Sequence, residues 1–375
     1  MRYGPWELLD PNDPKVQSLL EADRLDLQRQ YRQALQVAKR LEKRLRSAPF
    51  GAIHGVGVEL FHKRGLIALP LQFCVTVWVD RKRDASELLR TKRSITRGNK
   101  SDDRVLAIPS TYGGLQVKVL EGTVKLAVDR RETRPSSERN LVGSESRFDE
   151  SFTGGIAIAA SAGDRWGTLG LVFRDPSQRL MGMTCEHVVS SGAVCLPHGA
   201  SHESPQPIGS VIASRRSPRS GVDATSVQLL DSFYEGILGF EEHYPNMKFL
   251  VTAPARTSYW SWLLQVPVSV RGASTGRVVQ GRVTMPIVHS IELGGDTFRD
   301  LMVIHSRSAS SSIVSEGDSG AAVIMRYGAE WVWIGLVIGM IDPYTMVACK
   351  LPKAWKACEL DLSHAPKERR WRLGE

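Results

Sequence analysis

Cysteine is scarce in this chain: five in 375 residues, an odd number, with no Cys-x-x-Cys pair. That argues against a disulfide framework and a zinc site. Cys185 and Cys195 flank His187, and a bridge between those two alone stays open. No run approaches the ~18 consecutive apolar residues of a membrane-spanning helix, so no membrane partner is expected. The opening MRYGPWELLDPNDPK has no apolar core and carries acids early, unlike a secretory leader. The expectation is therefore a cytoplasmic chain with its cysteines as thiols. No fixed-period repeat is present. Aromatics are not interleaved with the basic clusters, and no nucleic-acid motif occurs, so nucleic acid is not expected as a partner.

What is present is the composition of a globular protein: 42% hydrophobic and 24% charged residues, with a net charge of +9. Its length suits about two domains. The positive charge is concentrated. Nine basic side chains face four acidic ones between Lys15 and Arg46, and nine face four again between Arg81 and Arg104. These read as solvated faces, with attraction of polyanions or acidic proteins as the alternative.

Residues 13–46 predict one long helix. Asp13 can cap it, Pro14 suits the first turn, and no further proline or glycine follows until Pro49. Leu27, Tyr31, Ala34, Ala38, Leu41 and Leu45 recur at spacings of 4, 3, 4, 3, 4, the seam of a helix pair. That seam offers docking on the chain's own body, self-association, or a protein partner, with self-docking as the default.

From residue 51 to 128 the texture changes to short strands, Gly55–Leu60, Phe73–Val79 and Leu115–Leu120, with a short helix at 85–90. Residues 129–150 are polar and patternless and read as a linker. From 151 to 360, short β-runs punctuated by glycine and proline predict an all-β domain large enough for two six-stranded barrels. The basic stretch 361–375 reads as a solvated tail.

Three local patterns carry chemistry. Glu316-Gly-Asp-Ser-Gly-Ala-Ala-Val323 places Ser319 in a turn that glycines on both sides permit, with an apolar strand behind it. Such a turn exposes a hydroxyl and aims backbone N–H groups at one point. Met183-Thr-Cys-Glu-His-Val-Val189 places His187 at the end of an apolar strand. Gly221-Val-Asp-Ala-Thr-Ser-Val-Gln-Leu229 supplies Asp223 ahead of an alternating strand, with Asp231 at that strand's far end as the weaker candidate. The spacings from histidine to aspartate and aspartate to serine are 36 and 96 residues.

In that order, these segments resemble the histidine, aspartate and nucleophile loops of trypsin-like serine peptidases of the chymotrypsin type. Val270-Arg-Gly-Ala-Ser-Thr-Gly-Arg-Val-Val-Gln-Gly-Arg-Val283 looks like the glycine-threonine-glycine hairpin that opens their second barrel. The 51–128 module and Gly167-Thr-Leu-Gly170 look like the leading segment of an intracellular bacterial and plant group of these enzymes.

The resemblance implies a mainly β fold: a chymotrypsin-like double β-barrel preceded by a long N-terminal helix (1–50) and a small α+β module. It implies His187, Asp223 and Ser319 as the catalytic triad and the N–H groups of Gly317 and Ser319 as the oxyanion hole. Ile313, Ile338, Gly339 and Met340 would line the substrate pocket. The substrate would be a protein or peptide, and neither metal nor organic cofactor is implied. Ile313 at the pocket floor argues for a hydrophobic or small residue before the cleaved bond. No activation site precedes the first barrel, so a constitutive or partner-gated site is expected. The alternative is a catalytically silent barrel serving as a protein-binding scaffold.

Overall fold

The computed structural model describes residues 7–47, 52–63, 66–82, 107–123, 125–127, 129–130, 155–161, 165–170, 172–196, 207–231, 247–250, 257–276, 278–307, 312–360 and 370–371. The short helix expected at 85–90 and most of the 129–150 linker lie outside these residues. The chain forms two compact units. The smaller takes in Met1–Val124, Arg256–Gln265 and Thr284–Asp300; the larger takes in Lys125–Ala255, Val266–Val283 and Leu301–Glu375. No described helix is long and apolar enough to cross a membrane.

In the smaller unit the N-terminal helix is two helices, Pro14–Ala22 and Arg24–Arg46, rather than one. The Asp13 carboxylate accepts from the Lys15 N–H at 2.8 Å, capping the first as expected. The break falls at Asp23, whose backbone (φ −100°, ψ 20°) leaves the helical region. Aspartate competes for backbone donors and is a weak helix former, which a reading based on proline and glycine alone does not register. The expected seam is buried, from Leu27 through Tyr31, Ala34, Ala38 and Leu41 to Leu45, with Val37 beside it. It packs on the unit's own sheet, where the Tyr31 and Phe73 rings lie 5.3 Å apart.

That sheet runs from Ile53–Leu60, antiparallel to Phe73–Val79, to Leu115–Glu121, which pairs parallel to the latter. Val288, Ser290 and Ile291 of the long strand Val279–Leu293 pair with its other edge. Burial would raise the Glu42 carboxyl. His289 at 2.8 Å and Arg46 at 2.8 Å overcome that and hold it at about 2.

The larger unit holds two sheets that match the double-barrel class, the first curled into a half-barrel and the second closed into a six-stranded barrel. In the first, the strands run Arg165–Leu169, Ile156–Ala160, Ala193–Cys195, Pro207–Ser217, Val222–Leu229 and Leu180–Thr184 in pairing order. The Gly170 N–H donates to the Met183 carbonyl at 2.8 Å, tying the curled sheet's Arg165–Leu169 end to Leu180–Thr184. The second runs Pro267–Val270, Ala322–Tyr327, Glu330–Asp342, Thr345–Lys350, Leu301–Ser306 and Val279–Leu293. It closes where Val268 and Ser269 meet Gly281 and Gln280. Closure removes the exposed edges on which barrel strands would otherwise aggregate. Phe173, Phe249, Trp333 and Trp355 form an aromatic cluster with ring separations of 5.1–5.9 Å.

Two segments depart from the sequence reading. Asp129–Arg130, assigned to the linker, forms a short strand on Arg165–Trp166. Within the basic tail, Arg370–Trp371 pairs parallel with Phe249–Leu250, and Trp371 is buried against Tyr327 rather than solvated.

Candidate active site

His187, Asp223 and Ser319 stand 36 to 132 residues apart in the chain, yet the larger unit brings them into one hydrogen-bonded line. His187 follows the strand Leu180–Thr184, whose antiparallel partner Val222–Leu229 carries Asp223. The His187 Nδ1 lies 2.8 Å from Asp223 Oδ2, and its Nε2 lies 2.8 Å from Ser319 Oγ. Asp223 Oδ1 accepts the backbone N–H of Glu186 at 2.7 Å and of His187 at 3.3 Å. Burial pushes the Asp223 carboxyl up. The His187 ring, Arg216 opposite it in the strand pair, and these N–H donors outweigh that and hold it below the ordinary range. The charged carboxylate fixes the imidazole with its proton on Nδ1, leaving Nε2 to accept from Ser319. Asp231 is not part of this arrangement: it is exposed, 3.5 Å from Arg174.

Burial also surrounds the histidine with a third donor. The ligand atoms of Cys185, His187 and Asp223 lie within 4.8 Å of one another, close enough for a metal ion. The chemistry does not suit one. Desolvation pushes the Cys185 thiol well up, and its Sγ donates to the Val337 carbonyl at 3.1 Å. A protonated thiol is a poor ligand, and both ring nitrogens of His187 are already engaged. All five cysteines are free and buried, so Cys185 and Cys195 form no bridge.

The turn that carries Ser319 is held from several directions. Gly317 and Gly320 both take φ +97°, a conformation L side chains rarely adopt. The Thr168 Oγ1 donates to the Gly317 carbonyl at 2.8 Å and accepts the Ala273 N–H at 2.9 Å. The Thr168 N–H donates to the Ser319 carbonyl at 2.7 Å.

Asp318 turns inward, where its carboxylate accepts the N–H groups of Ser274 and Thr275, each at 3.0 Å, and of Ser315 at 2.8 Å, together with the Thr275 hydroxyl. Burial raises its carboxyl despite these donors. A Cβ on Gly272 would stand 1.9 Å from Asp318 Oδ1, so glycine is needed for the hairpin to reach it. The sequence marked this hairpin but gave no sign that it clasps Asp318.

The N–H groups of Gly317 and Ser319 converge on one acceptor, the carbonyl of Ala127, at 2.8 Å each. Ile313 is buried, and its N–H donates to the Pro343 carbonyl at 2.9 Å. Ile338, Gly339 and Met340 lie on the strand Glu330–Asp342 at an irregularity between Val337 and Gly339. The Ile338 carbonyl is 3.3 Å from Ser319 Oγ, a longer contact than the one to His187. Gly339 and Met340 pair antiparallel with Leu126 and Lys125. No motif in the sequence singled out residues 125–127.

No protein-family model matches the sequence, and no curated protein matches it. Among solved structures the chain is similar to the Nocardiopsis protease NAPase, at 17% identity and a TM-score of 0.37, covering 56% of this chain and 97% of that one. It is similar to the active form of the Rv3671c protease from M. tuberculosis, at 17% identity and 0.32, covering 62% and 89%. The NS6 protease of murine norovirus aligns at 15% identity and 0.28, covering 51% and 85%.

Proposed function

We propose that the chain is a serine endopeptidase. The observation that carries this reading is the unbroken line Asp223–His187–Ser319, joined by two 2.8 Å contacts, with two backbone N–H groups aimed at a carbonyl beside the serine. Ser319 Oγ attacks the substrate carbonyl carbon as His187 Nε2 takes its proton. The developing oxyanion is held by Gly317 and Ser319 N–H, a class of donor worth about 2.7–4 kcal/mol each. His187 then passes the proton to the leaving amine, and water releases the acyl group by the reverse use of the same base. Asp223 stays ionised and steadies the imidazolium.

Asp318 supports a site that forms without an activating cleavage. Both carboxylate oxygens already accept donors from Ser274, Thr275 and Ser315, so a new N-terminal amine would find them occupied. Ile313 and the strand through Ile338, Gly339 and Met340 would form the pocket for the residue preceding the cleaved bond. Their apolar character favours small or hydrophobic side chains. The cytoplasm and a protein or peptide substrate remain part of the same proposal.

Degradation of casein tests it. Wild type is expected to generate new termini after small or hydrophobic residues, and Ser319→Ala is expected to generate none above background. Cleavage after arginine or lysine would contradict the pocket assignment. Equal degradation by the Ser319→Ala protein would contradict the nucleophile.

A further inference from the structure

The substrate position of this site is filled by the chain itself. Lys125 and Leu126 lie antiparallel on Met340 and Gly339, adding a strand to the pocket wall in the manner of an extended peptide on a sheet edge. Ala127 follows, fully buried, and its carbonyl takes both the Gly317 and the Ser319 N–H at 2.8 Å. Those donors are the ones a scissile carbonyl would use. On the other side of the bond, Asp129 and Arg130 pair antiparallel with Trp166 and Arg165 of the first sheet. Lys125–Ala127 on one side and Asp129–Arg130 on the other are thus each held, and the Ser319 Oγ to His187 Nε2 contact is 2.8 Å with the Ala127 carbonyl on the N–H pair.

We infer that residues 125–130 are a cis substrate and that the protein cleaves its own Ala127–Val128 bond. The inference rests on the peptidase reading and names that site's first substrate. Ser319 Oγ adds to the Ala127 carbonyl carbon while its proton passes to His187 Nε2. The C–N bond to Val128 breaks, and His187 protonates the departing Val128 amine. An acyl-enzyme through Ala127 remains, and water hydrolyses it to the Ala127 carboxylate and free Ser319. One water is consumed and no other reactant is needed. Alanine fits the small or hydrophobic preference that Ile313 suggests. The new amine is not required by Asp318, whose donors are already in place. Cleavage therefore divides the chain into 1–127 and 128–375 without being the event that builds the site. The Ala127 carboxylate is left as a bound product that must withdraw before another peptide enters.

Intact mass and N-terminal sequencing of the purified full-length chain test this, alongside casein degradation by the same sample. The expected result is a fragment ending at Ala127 and one beginning at Val128, formed at a first-order rate independent of protein concentration. Ser319→Ala and Val128→Pro should both stay whole, and added wild type should leave the Ser319→Ala chain uncut. A wild type that stays intact while degrading casein overturns the inference and leaves the peptidase reading standing. An intact chain inert toward casein overturns both. Cutting at another bond, cutting of Val128→Pro at the same bond, or cutting of Ser319→Ala by added wild type each overturns the cis cleavage.

Discussion

Asp223→Asn should lower kcat/KM for peptide hydrolysis by about four orders of magnitude while leaving the fold intact. The amide keeps one oxygen to accept the Glu186 and His187 N–H groups that now reach Oδ1. Its NH2 group, however, faces His187 Nδ1 and can only donate there. The imidazole proton is driven to Nε2, where it points at Ser319 Oγ and can no longer receive the serine's proton. The negative charge that stabilises the imidazolium is lost as well. Steady-state kinetics on a peptide substrate, with thermal unfolding as the control for structure, measures both sides of this. A variant within tenfold of wild type would show that Asp223 does not orient the base.

Gly320→Ala should be the more destabilising of the two glycine substitutions in the nucleophile turn. An added Cβ would meet the Thr168 carbonyl oxygen at 2.0 Å and the Thr184 hydroxyl at 2.5 Å, and Gly320 sits at φ +97°. Backbone strain of about 1–3 kcal/mol adds to overpacking of similar size. The obstacle is backbone rather than a flexible side chain, so relief requires moving the turn. That displaces the Ser319 N–H from its acceptor. At Gly317, by contrast, the added atom meets side-chain atoms of the Trp166 ring rather than backbone. Gly320→Ala is accordingly expected to lose activity and to unfold at clearly lower denaturant, with Gly317→Ala the milder of the two. Wild-type stability in Gly320→Ala would contradict the packing described for this turn.

The parts of this fold legible in the sequence are those set by neighbours in the chain. An apolar run marked Phe73–Val79, which is buried along its whole length, alternation marked Leu115–Leu120, and a terminal apolar strand pointed to His187. PIGSVIASRRS, by contrast, shows no clean period, because the burial of Pro207–Ser217 is partial and irregular. The helix break at Asp23 escaped because neither proline nor glycine marks it. Asp318 and Ala127 were illegible for a different reason. The partners of Asp318 in Ser274 and Thr275 are more than 40 residues away, and those of Ala127 in Gly317 and Ser319 about 190. Apart from the Thr275 hydroxyl on Asp318, both depend on backbone donors, so side-chain type gives little hint. The Lys125–Ala127 segment reads as the end of a module, whereas Lys125 and Leu126 pair with Met340 and Gly339.

The central claim is that Ser319 is an activated nucleophile, and covalent labelling with a fluorophosphonate, mapped by peptide mass, tests it most directly. The label is expected on Ser319 alone among the serines, once the Ala127 carbonyl leaves the N–H pair. Labelling should vanish in both Ser319→Ala and His187→Ala. Absence of label from a folded sample already cut after Ala127, or label that persists without His187, would contradict the account.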